Sequence, residues 1–454
     1  MPTRLIVSAP ATGKTNACID EIRVVLGKYP LAKIRVIVPD RLQAAYFRRR
    51  LSASGGSIGV YVGTFNDLYK NILEKSGGYV PVASNALLHR IVQDVVDTTP
   101  LVHYATLRTQ PGFILALQDI FAELKRALIY PETFINSSKG TSLAQQELAQ
   151  LYVAYQTKLR NMGWADFEGL SWLAVAALEE SPNLMENSMQ FLVVDGFDSF
   201  IGTQRRILQL LEKFTNLLIT LPGDVAFSRT AHRRFARTYS SLQKEFSLEL
   251  LIDSSTNFLP ADIAHVESHL FTSIPTSIIK PIQPFLRELR SPAEESREAL
   301  RWIKSLVIRT AIPLQECAIF APDLNQYRPY LHSAALEFGM PVHFTQSDSL
   351  TTSPAITALL HLLSLPTQNF RTNALFKVLR SPYFSFGLPL ETIDSLEQIS
   401  HIGMVVEGRE QWNEIWERLS PLGKSSPFDL DDERTLKKLP HGIAIQALQT
   451  HLDD

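Results

Sequence analysis

Three residues in this sequence could do chemistry together. Lys14 and Thr15 follow Gly13 in the run Ser-Ala-Pro-Ala-Thr-Gly-Lys-Thr, and Asp195 closes the run Phe-Leu-Val-Val-Asp. A glycine-containing loop between an apolar strand and a helix aims several backbone N–H groups at phosphate oxygens, helped by the helix N-terminus. In such a loop a lysine reaches the terminal phosphates, and the following hydroxyl binds Mg²⁺. An acid on a second strand must hold the ion through water, and Asp195 ends an apolar strand, as that role requires. Ala11, Thr12, Gly13, Lys14 and Thr15 are therefore candidate ATP contacts, and Thr15 and Asp195 candidate Mg²⁺ ligands.

The loop departs from the general pattern. Ser8 stands where the first glycine is expected, Ala11 replaces another, and Pro10 stiffens the turn. A Cβ at a position that needs positive φ costs energy. The acidic run departs too. A motor adds a Glu after the Mg²⁺-holding Asp to polarise the attacking water, but here Gly196 follows Asp195. Asp198 is close in sequence, yet its side chain starts from a different place. Nucleotide binding is expected, efficient hydrolysis by this chain alone is not, and no residue is assigned as catalytic.

Alternating strands and helices must position these residues. The sequence predicts strands over Arg4–Ser8, Ile34–Val38 and Ile58–Val62, each followed by an amphipathic helix: Lys14–Leu26, Arg41–Leu51 and Phe65–Lys75. That rhythm gives a parallel sheet covered by helices. From about Ser76 to Asn187 the pattern is helical only, over Ala83–Val96, Phe113–Leu128, Leu143–Leu159 and Phe167–Leu178. Strands return at Gln190–Val194 and Asn216–Thr220, with a helix at Gly202–Phe214 between them. A second α/β unit is expected, with strands at Phe285–Leu289, Cys317–Phe320 and Val342–Phe344 and helices at Ala293–Arg309 and Tyr327–Phe338. After Pro354 the chain reads as helical.

Bulk composition narrows the class. The 454 residues suggest about three domains, and 45% hydrophobic with 20% charged residues is ordinary for a globular protein. The net charge of −2 gives no global sign of a nucleic-acid partner, so such evidence must be local. The two cysteines, Cys18 and Cys317, form no CxxC or Cys/His cluster, which argues against a disulfide framework, a zinc ribbon or an iron–sulfur cluster in this stretch. No apolar run reaches membrane-spanning length and the N-terminus lacks a signal-peptide layout, so the chain reads as cytoplasmic with no membrane partner.

Further runs carry a resemblance. Val-Pro-Asp-Arg-Leu-Gln follows the second strand, Val-Gly-Thr-Phe-Asn-Asp-Leu-Tyr follows the third, and Val-Val-Asp-Gly-Phe-Asp-Ser-Phe follows the helical block. With Ala-Thr-Gly-Lys-Thr, this set is similar to the amino-terminal half of the AddB component of the bacterial AddAB-type helicase–nuclease, among the superfamily 1, UvrD-like helicases. Tyr155–Leu170 resembles the end of that family's helical insertion, Leu217–Asp224 its third helicase motif, and the stretches from Glu288, Cys317 and Ser353 the opening of its second motor domain.

The resemblance implies an α/β fold: a P-loop NTPase (RecA-like) parallel sheet domain with a helical insertion, then the start of a second RecA-like domain and a helical region. The domains would be 1–75 and 187–255 for the first sheet domain, 76–186 for the insertion, 256–283 for a connection, 284–365 for the start of the second domain and 366–454 for its incomplete helical insertion. It also implies a helicase-like subunit that processes double-stranded DNA ends for recombinational repair, binds single-stranded DNA, and pairs with an AddA-type helicase–nuclease subunit as a heterodimer. ATP and Mg²⁺ would be its cofactors. The family's late helicase motifs, its nuclease signature and its iron–sulfur cysteines are absent from this stretch. The chain therefore reads as a fragment of a longer protein or a short relative.

The family's segment after the third strand touches DNA, which implies Thr64, Phe65 and Asn66 here: hydroxyl and amide for phosphate, ring for a base. Thr64 is equally a helix N-cap. Tyr46–Arg50 and Arg229–Tyr239 mix basic and aromatic residues, but read first as solvated helix faces. His265 and His269 stand one helical turn apart without a third ligand. Three other functions stay open: an active superfamily 1 ATPase using Asp198 or another acid, a DNA-scanning scaffold with a dead nucleotide site, and an unrelated P-loop kinase.

Overall fold

A computed structural model describes residues 3–56, 58–224, 229–251, 259–271, 286–345 and 349–419. The chain falls into two compact units, 1–288 and 289–454.

The first unit opens with β1 (Thr3–Ser8), α1 (Lys14–Lys28), β2 (Ile34–Ile37), α2 (Arg41–Ala53), β3 (Val60–Gly63) and α3 (Phe65–Ser76). Five helices follow: α4 (Asn85–Thr98), α5 (Pro111–Arg126), α6 (Pro131–Ser138), α7 (Leu143–Met162) and α8 (Phe167–Glu180). The chain then returns through β4 (Phe191–Val194), α9 (Gly202–Glu212), β5 (Asn216–Pro222), α10 (Arg233–Glu245), β6 (Leu248–Leu251) and α11 (Ala261–His269).

The six strands form one parallel sheet in the order β3-β2-β4-β5-β1-β6. Side chains alternate across it, as a period of two requires. Leu5, Val7, Leu192, Val194, Leu217 and Ile219 face one core with α3, α8, α9 and α10. Ile6, Val36, Val193 and Leu218 face the other, against Cys18, Ile19 and Ile22 of α1 and Ala44, Phe47 and Leu51 of α2. Covering both faces is the usual condition of a parallel sheet, and explains why its strands read as near-continuous apolar runs.

The helices between β3 and β4 build a third core, with Ile91, Val95, Phe121, Leu151, Tyr152 and Trp172 at its centre. Their stem is a parallel bridge: Ala83 N–H donates to the Ala165 carbonyl at 2.8 Å, and Ala165 N–H to that of Pro81 at 3.0 Å. Above it the buried Lys125 ammonium lies 2.6 Å from Asp166 Oδ2, which also accepts from Tyr155 Oη at 2.7 Å. Burial pulls the Lys125 ammonium below its ordinary range, opposed by Asp166. Helix α8 serves two cores at once: Trp172 faces the helical block, whereas Leu170, Ala174, Val175 and Leu178 face the sheet. That sharing is why sheet and helical block form one compact unit.

The second unit contains α12 (Pro292–Thr310), α13 (Leu324–Phe338), α14 (Pro354–Ser364), α15 (Thr372–Leu379), α16 (Leu390–Ile402) and α17 (Gly408–Leu419). Leu300 of α12 packs with Leu331, Ala334 and Ala335 of α13, and Phe376, Ile393, Leu396, Trp412 and Trp416 form a separate helical core. The strands expected at 285–289, 317–320 and 342–344 do not form among the described residues, which corrects the expectation of a second sheet starting within 284–365. Ile319, Val342 and Phe344 do pack against the α12–α13 core, while Phe320 is 93% exposed. Strand-like composition becomes a strand only where a neighbouring ladder takes up its N–H and C=O groups. Residues 420–454, within the expected helical insertion 366–454, lie outside the described residues, as do most of 256–283. No helix among the described residues is long and apolar enough to cross a membrane.

Candidate nucleotide site at the carboxyl edge of the sheet

Because every strand is parallel, the loops after β1, β3, β4 and β5 all leave from one edge. In open α/β sheets this is where ligands bind. The loop after β1 turns sharply: Ala11 has φ +58° and Gly13 φ +97°. Gly13 caps α1, and its carbonyl accepts the first helical bond from Ala17 N–H at 2.9 Å. No side chain caps the first turn of α1, and no acidic residue lies in it. Thr12 Oγ1 donates to the Ala9 carbonyl at 2.7 Å and bonds the Ser8 hydroxyl, so Ser8 serves as an internal brace where a glycine was expected. Lys14 Nζ folds back onto the carbonyls of Ser8 at 2.9 Å and Ala9 at 2.6 Å. These are weak partners compared with a phosphate, whose full charge a lysine prefers.

Asp195 stands beneath this loop, 5% exposed. Thr15 Oγ1 donates to its Oδ2 at 2.8 Å, and Thr220 Oγ1 donates to its Oδ1 at 2.6 Å. Thr220 accepts in turn from Gly196 N–H at 3.3 Å. Strand β5 makes this possible, since it lies between β1 and β4 and carries Thr220 at the level of both tips. Gly223 N–H, just beyond β5, bonds the Ser8 carbonyl at 3.0 Å and ties the two tips together. The donor set suits Mg²⁺, which takes oxygen ligands and is held by one or two protein groups plus phosphate oxygens and water. Among the described residues no three His, Cys, Asp or Glu side chains gather to hold a metal by themselves.

The backbone after Asp195 disfavours a glutamate. Gly196 has φ +86°, and a Cβ there would lie 2.7 Å from Gln43 Oε1 and 3.4 Å from Pro39 Cδ. Asp198 is engaged elsewhere, with Arg234 at 2.8 Å from its Oδ2 and Thr238 Oγ1 at 3.1 Å from its carbonyl.

Thr64, Phe65 and Asn66 sit at the tip of β3, the edge strand farthest from β6. Thr64 is the N-cap of α3, and Asp67 Oδ2 accepts from both its N–H at 2.8 Å and its hydroxyl at 2.9 Å. Phe65 is 5% exposed, with its ring centroid 5.3 Å from Phe197 and 6.5 Å from Phe200. A ring held in the core this way has no face to offer a base, so the stacking expected of Phe65 is corrected to a packing role. Asn66 Oδ1 is buried without a hydrogen-bond partner.

The basic runs are tied into the fold. Arg48 Nη1 donates to the Val62 carbonyl at 2.9 Å, and Arg229 pairs with Glu267 at 2.9 Å. Phe235 and Tyr239 are buried, while Tyr46 is open to solvent. His232 Nδ1 lies 3.1 Å from Asp224 Oδ2, and the His265 and His269 rings stack at 4.1 Å.

Thr220 and Gln43 were not singled out in the sequence, and Ser8 only as a departure from the loop pattern. Thr220 did leave a signal: it is a hydroxyl within the otherwise apolar Leu217–Leu221. A buried polar group in such a strand must have a partner.

Comparison with known proteins identifies the family. Residues 5–252, which include most of β1 and all of β2 through β6, match the family described as ADDB, N-terminal. Over 98% of its length the chain is 21% identical to the AddB-type subunit of the ATP-dependent helicase/deoxyribonuclease of Clostridioides difficile (strain 630), covering 41% of that protein. It is 22% identical over 86% of its length to the protein of that name from Bacillus pumilus (strain SAFR-032), and 24% identical over 96% to that from Oceanobacillus iheyensis, covering 36% and 41% of them. The chain thus spans about two fifths of the length of these relatives. With the family match running through the loop after β1, the helical block and every strand of the sheet, the chain belongs to the ADDB N-terminal family.

Proposed function

We propose that this chain is the helicase-like portion of an AddB-type subunit of an ATP-dependent helicase–deoxyribonuclease. It binds ATP–Mg²⁺ at 11–15 with Asp195, holds single-stranded DNA near the β3 tip, and works in the cytoplasm beside an AddA-type subunit on double-stranded DNA ends during recombinational repair. One observation carries the nucleotide reading: Thr15 and Thr220 converge on opposite oxygens of the buried Asp195, directly under a loop that ends in Gly13-Lys14. The names of the relatives support the DNA-processing reading.

When bound, Mg²⁺ supplies charge neutralisation at the phosphate oxygens. The chain's own residues do the rest. The N-terminal N–H groups of α1 receive the phosphates. Lys14 leaves the Ser8 and Ala9 carbonyls to reach them, a motion its flexible stem allows. Thr15 and Asp195 hold the ion's place, and Thr220 fixes the carboxylate's orientation. With Gly196 after Asp195 and Asp198 turned to Arg234, the chain lacks the usual water-activating acid and is a weak motor by itself.

The test is equilibrium binding of a fluorescent ATP analogue with Mg²⁺ to this chain and to Lys14→Ala. Micromolar binding that Lys14→Ala abolishes is expected. Equal binding by both proteins, or none by either, would sink the nucleotide reading. Turnover strongly stimulated by single-stranded DNA would instead identify an active motor.

A further inference from the structure

The side chain of Gln43 stands over Gly196, where a motor's glutamate would begin. Its position is built. Asp40 caps α2 by accepting from Gln43 N–H at 2.7 Å, and its second oxygen accepts from Gln43 Nε2 at 3.2 Å. Holding the amide nitrogen on Asp40 leaves Oε1 directed at Gly196, 2.7 Å from where a Cβ would be. Gly196 is in turn fixed by Thr220, the residue that holds Asp195. One hydrogen-bonded and packed chain therefore runs from Gln43 through Gly196 and Thr220 to the Mg²⁺-holding carboxylate.

We infer that Gln43 orients the water that attacks the terminal phosphate, in place of the missing acid. This rests on the nucleotide reading above. A glutamine amide accepts from water through its oxygen and donates through its nitrogen, and glutamines orient attacking water in other phosphate-loop enzymes. In the step itself the water oxygen forms a bond to the γ-phosphorus. The bond from that phosphorus to the bridging oxygen breaks, and its electron pair leaves with ADP. An amide is not a base at neutral pH, so the water's proton passes to a phosphate oxygen or to solvent. General-base catalysis contributes about 10²- to 10⁴-fold, so turnover is slow by that order but above zero. The backbone agrees: the positive φ of Gly196 would strain a glutamate there.

The test uses ADP with aluminium fluoride and Mg²⁺, which mimics the phosphoryl group in flight together with its in-line water. Affinities for that complex and for ADP alone are measured on the chain, on Gln43→Leu and on Gln43→Glu by competition with a fluorescent nucleotide. Gln43 is exposed, so its replacement does not threaten folding. Gln43→Leu is expected to lose about tenfold for ADP–aluminium fluoride with ADP unchanged, equal to about 1.4 kcal/mol. Gln43→Glu keeps an acceptor but loses the donor that Asp40 holds and sets a second carboxylate beside it, so a comparable loss is expected. Equal trapping by Gln43→Leu and the parent chain would overturn the inference and leave the nucleotide site standing. So would a parent chain that binds ADP but gains nothing from aluminium fluoride. A parent chain that binds no nucleotide would overturn both.

Discussion

Thr220 and Asp195 extend from neighbouring strands, and the hydroxyl of one holds the carboxylate of the other at 2.6 Å. Both are shielded from solvent, so water cannot replace the bond if it is lost. Hydrogen bonds to charged groups contribute about 1.5–3 kcal/mol. Thr220→Val, which keeps the shape and removes the donor, is expected to weaken Mg²⁺-dependent nucleotide binding by roughly tenfold or more. Binding measured in EDTA should change far less. Equal weakening with and without Mg²⁺ would argue that Thr220 only supports the fold.

Ala11 occupies left-handed backbone at φ +58°. That conformation costs an L-residue with a Cβ about 1–2 kcal/mol. Ala11→Gly is expected to raise stability by roughly 1 kcal/mol, read as a higher urea midpoint at constant m-value. A lower midpoint would show that the greater freedom of glycine in the unfolded chain outweighs the relieved strain.

Glu147 on α7 binds a loop of the helical block through its backbone. Its Oε1 accepts from Val102 N–H at 2.7 Å and His103 N–H at 2.8 Å, and its Oε2 from Tyr104 N–H at 3.1 Å. Burial pushes this carboxyl up, but the three backbone donors more than offset that and hold it below the usual carboxylate range. A depressed folded-state value means the unfolded chain binds the proton more readily. The contribution is therefore complete above the ordinary glutamate range, near pH 4.5, and is lost as pH falls through the lower folded value. Denaturant melts at stepwise lower pH should show that acid loss in the parent chain. Glu147→Gln should flatten it while lowering stability near pH 7 by about 1–3 kcal/mol.

Phe65 and Asn66 are adjacent but should fail differently. Phe65→Ala removes a buried ring and is expected to cost about 3–5 kcal/mol in stability. Asn66→Ala removes an amide whose oxygen has no partner, so stability should hold while affinity for a single-stranded oligonucleotide falls about fivefold, one hydrogen bond's worth. Unchanged affinity in Asn66→Ala would remove this segment from the DNA contacts.

What the sequence revealed, and what it hid, follows from the range of the forces involved. Strands β1, β2 and β4 were legible because burial on both faces writes continuous apolar runs, and α3 because Phe65, Leu68, Tyr69 and Ile72 repeat at helical spacing. Strand β6 was missed. Among the described residues it pairs only with β1, is half exposed, and reads Leu-Glu-Leu-Leu without a distinctive period. The strand expected at 317–320 had suitable residues but finds no ladder among the described residues, and a ladder is a property of distant chain. The proposed nucleotide site divides the same way. Lys14, Thr15 and Asp195 sit in local patterns that announce them. The approach of Gln43 to Gly196 depends on the first turn of α2 meeting the loop after β4 at the sheet edge, and no local pattern records it.

The bridge between Val82 and Ala165 has a kinetic consequence. Strand β4 must insert between β2 and β5, so pairing it with β2 requires closure over the whole helical block. For a flexible chain such closure is slow, because its entropy is lost before the contacts form. A block that packs around its own core and joins residues 82 and 165 at a backbone bridge shortens the effective loop to the segments outside the stem, 64–81 and 166–190, which are themselves largely taken up by α3 and α8. The helical block thus acts as an intramolecular folding clamp, and weakening its stem should slow completion of the sheet more than it weakens the finished fold.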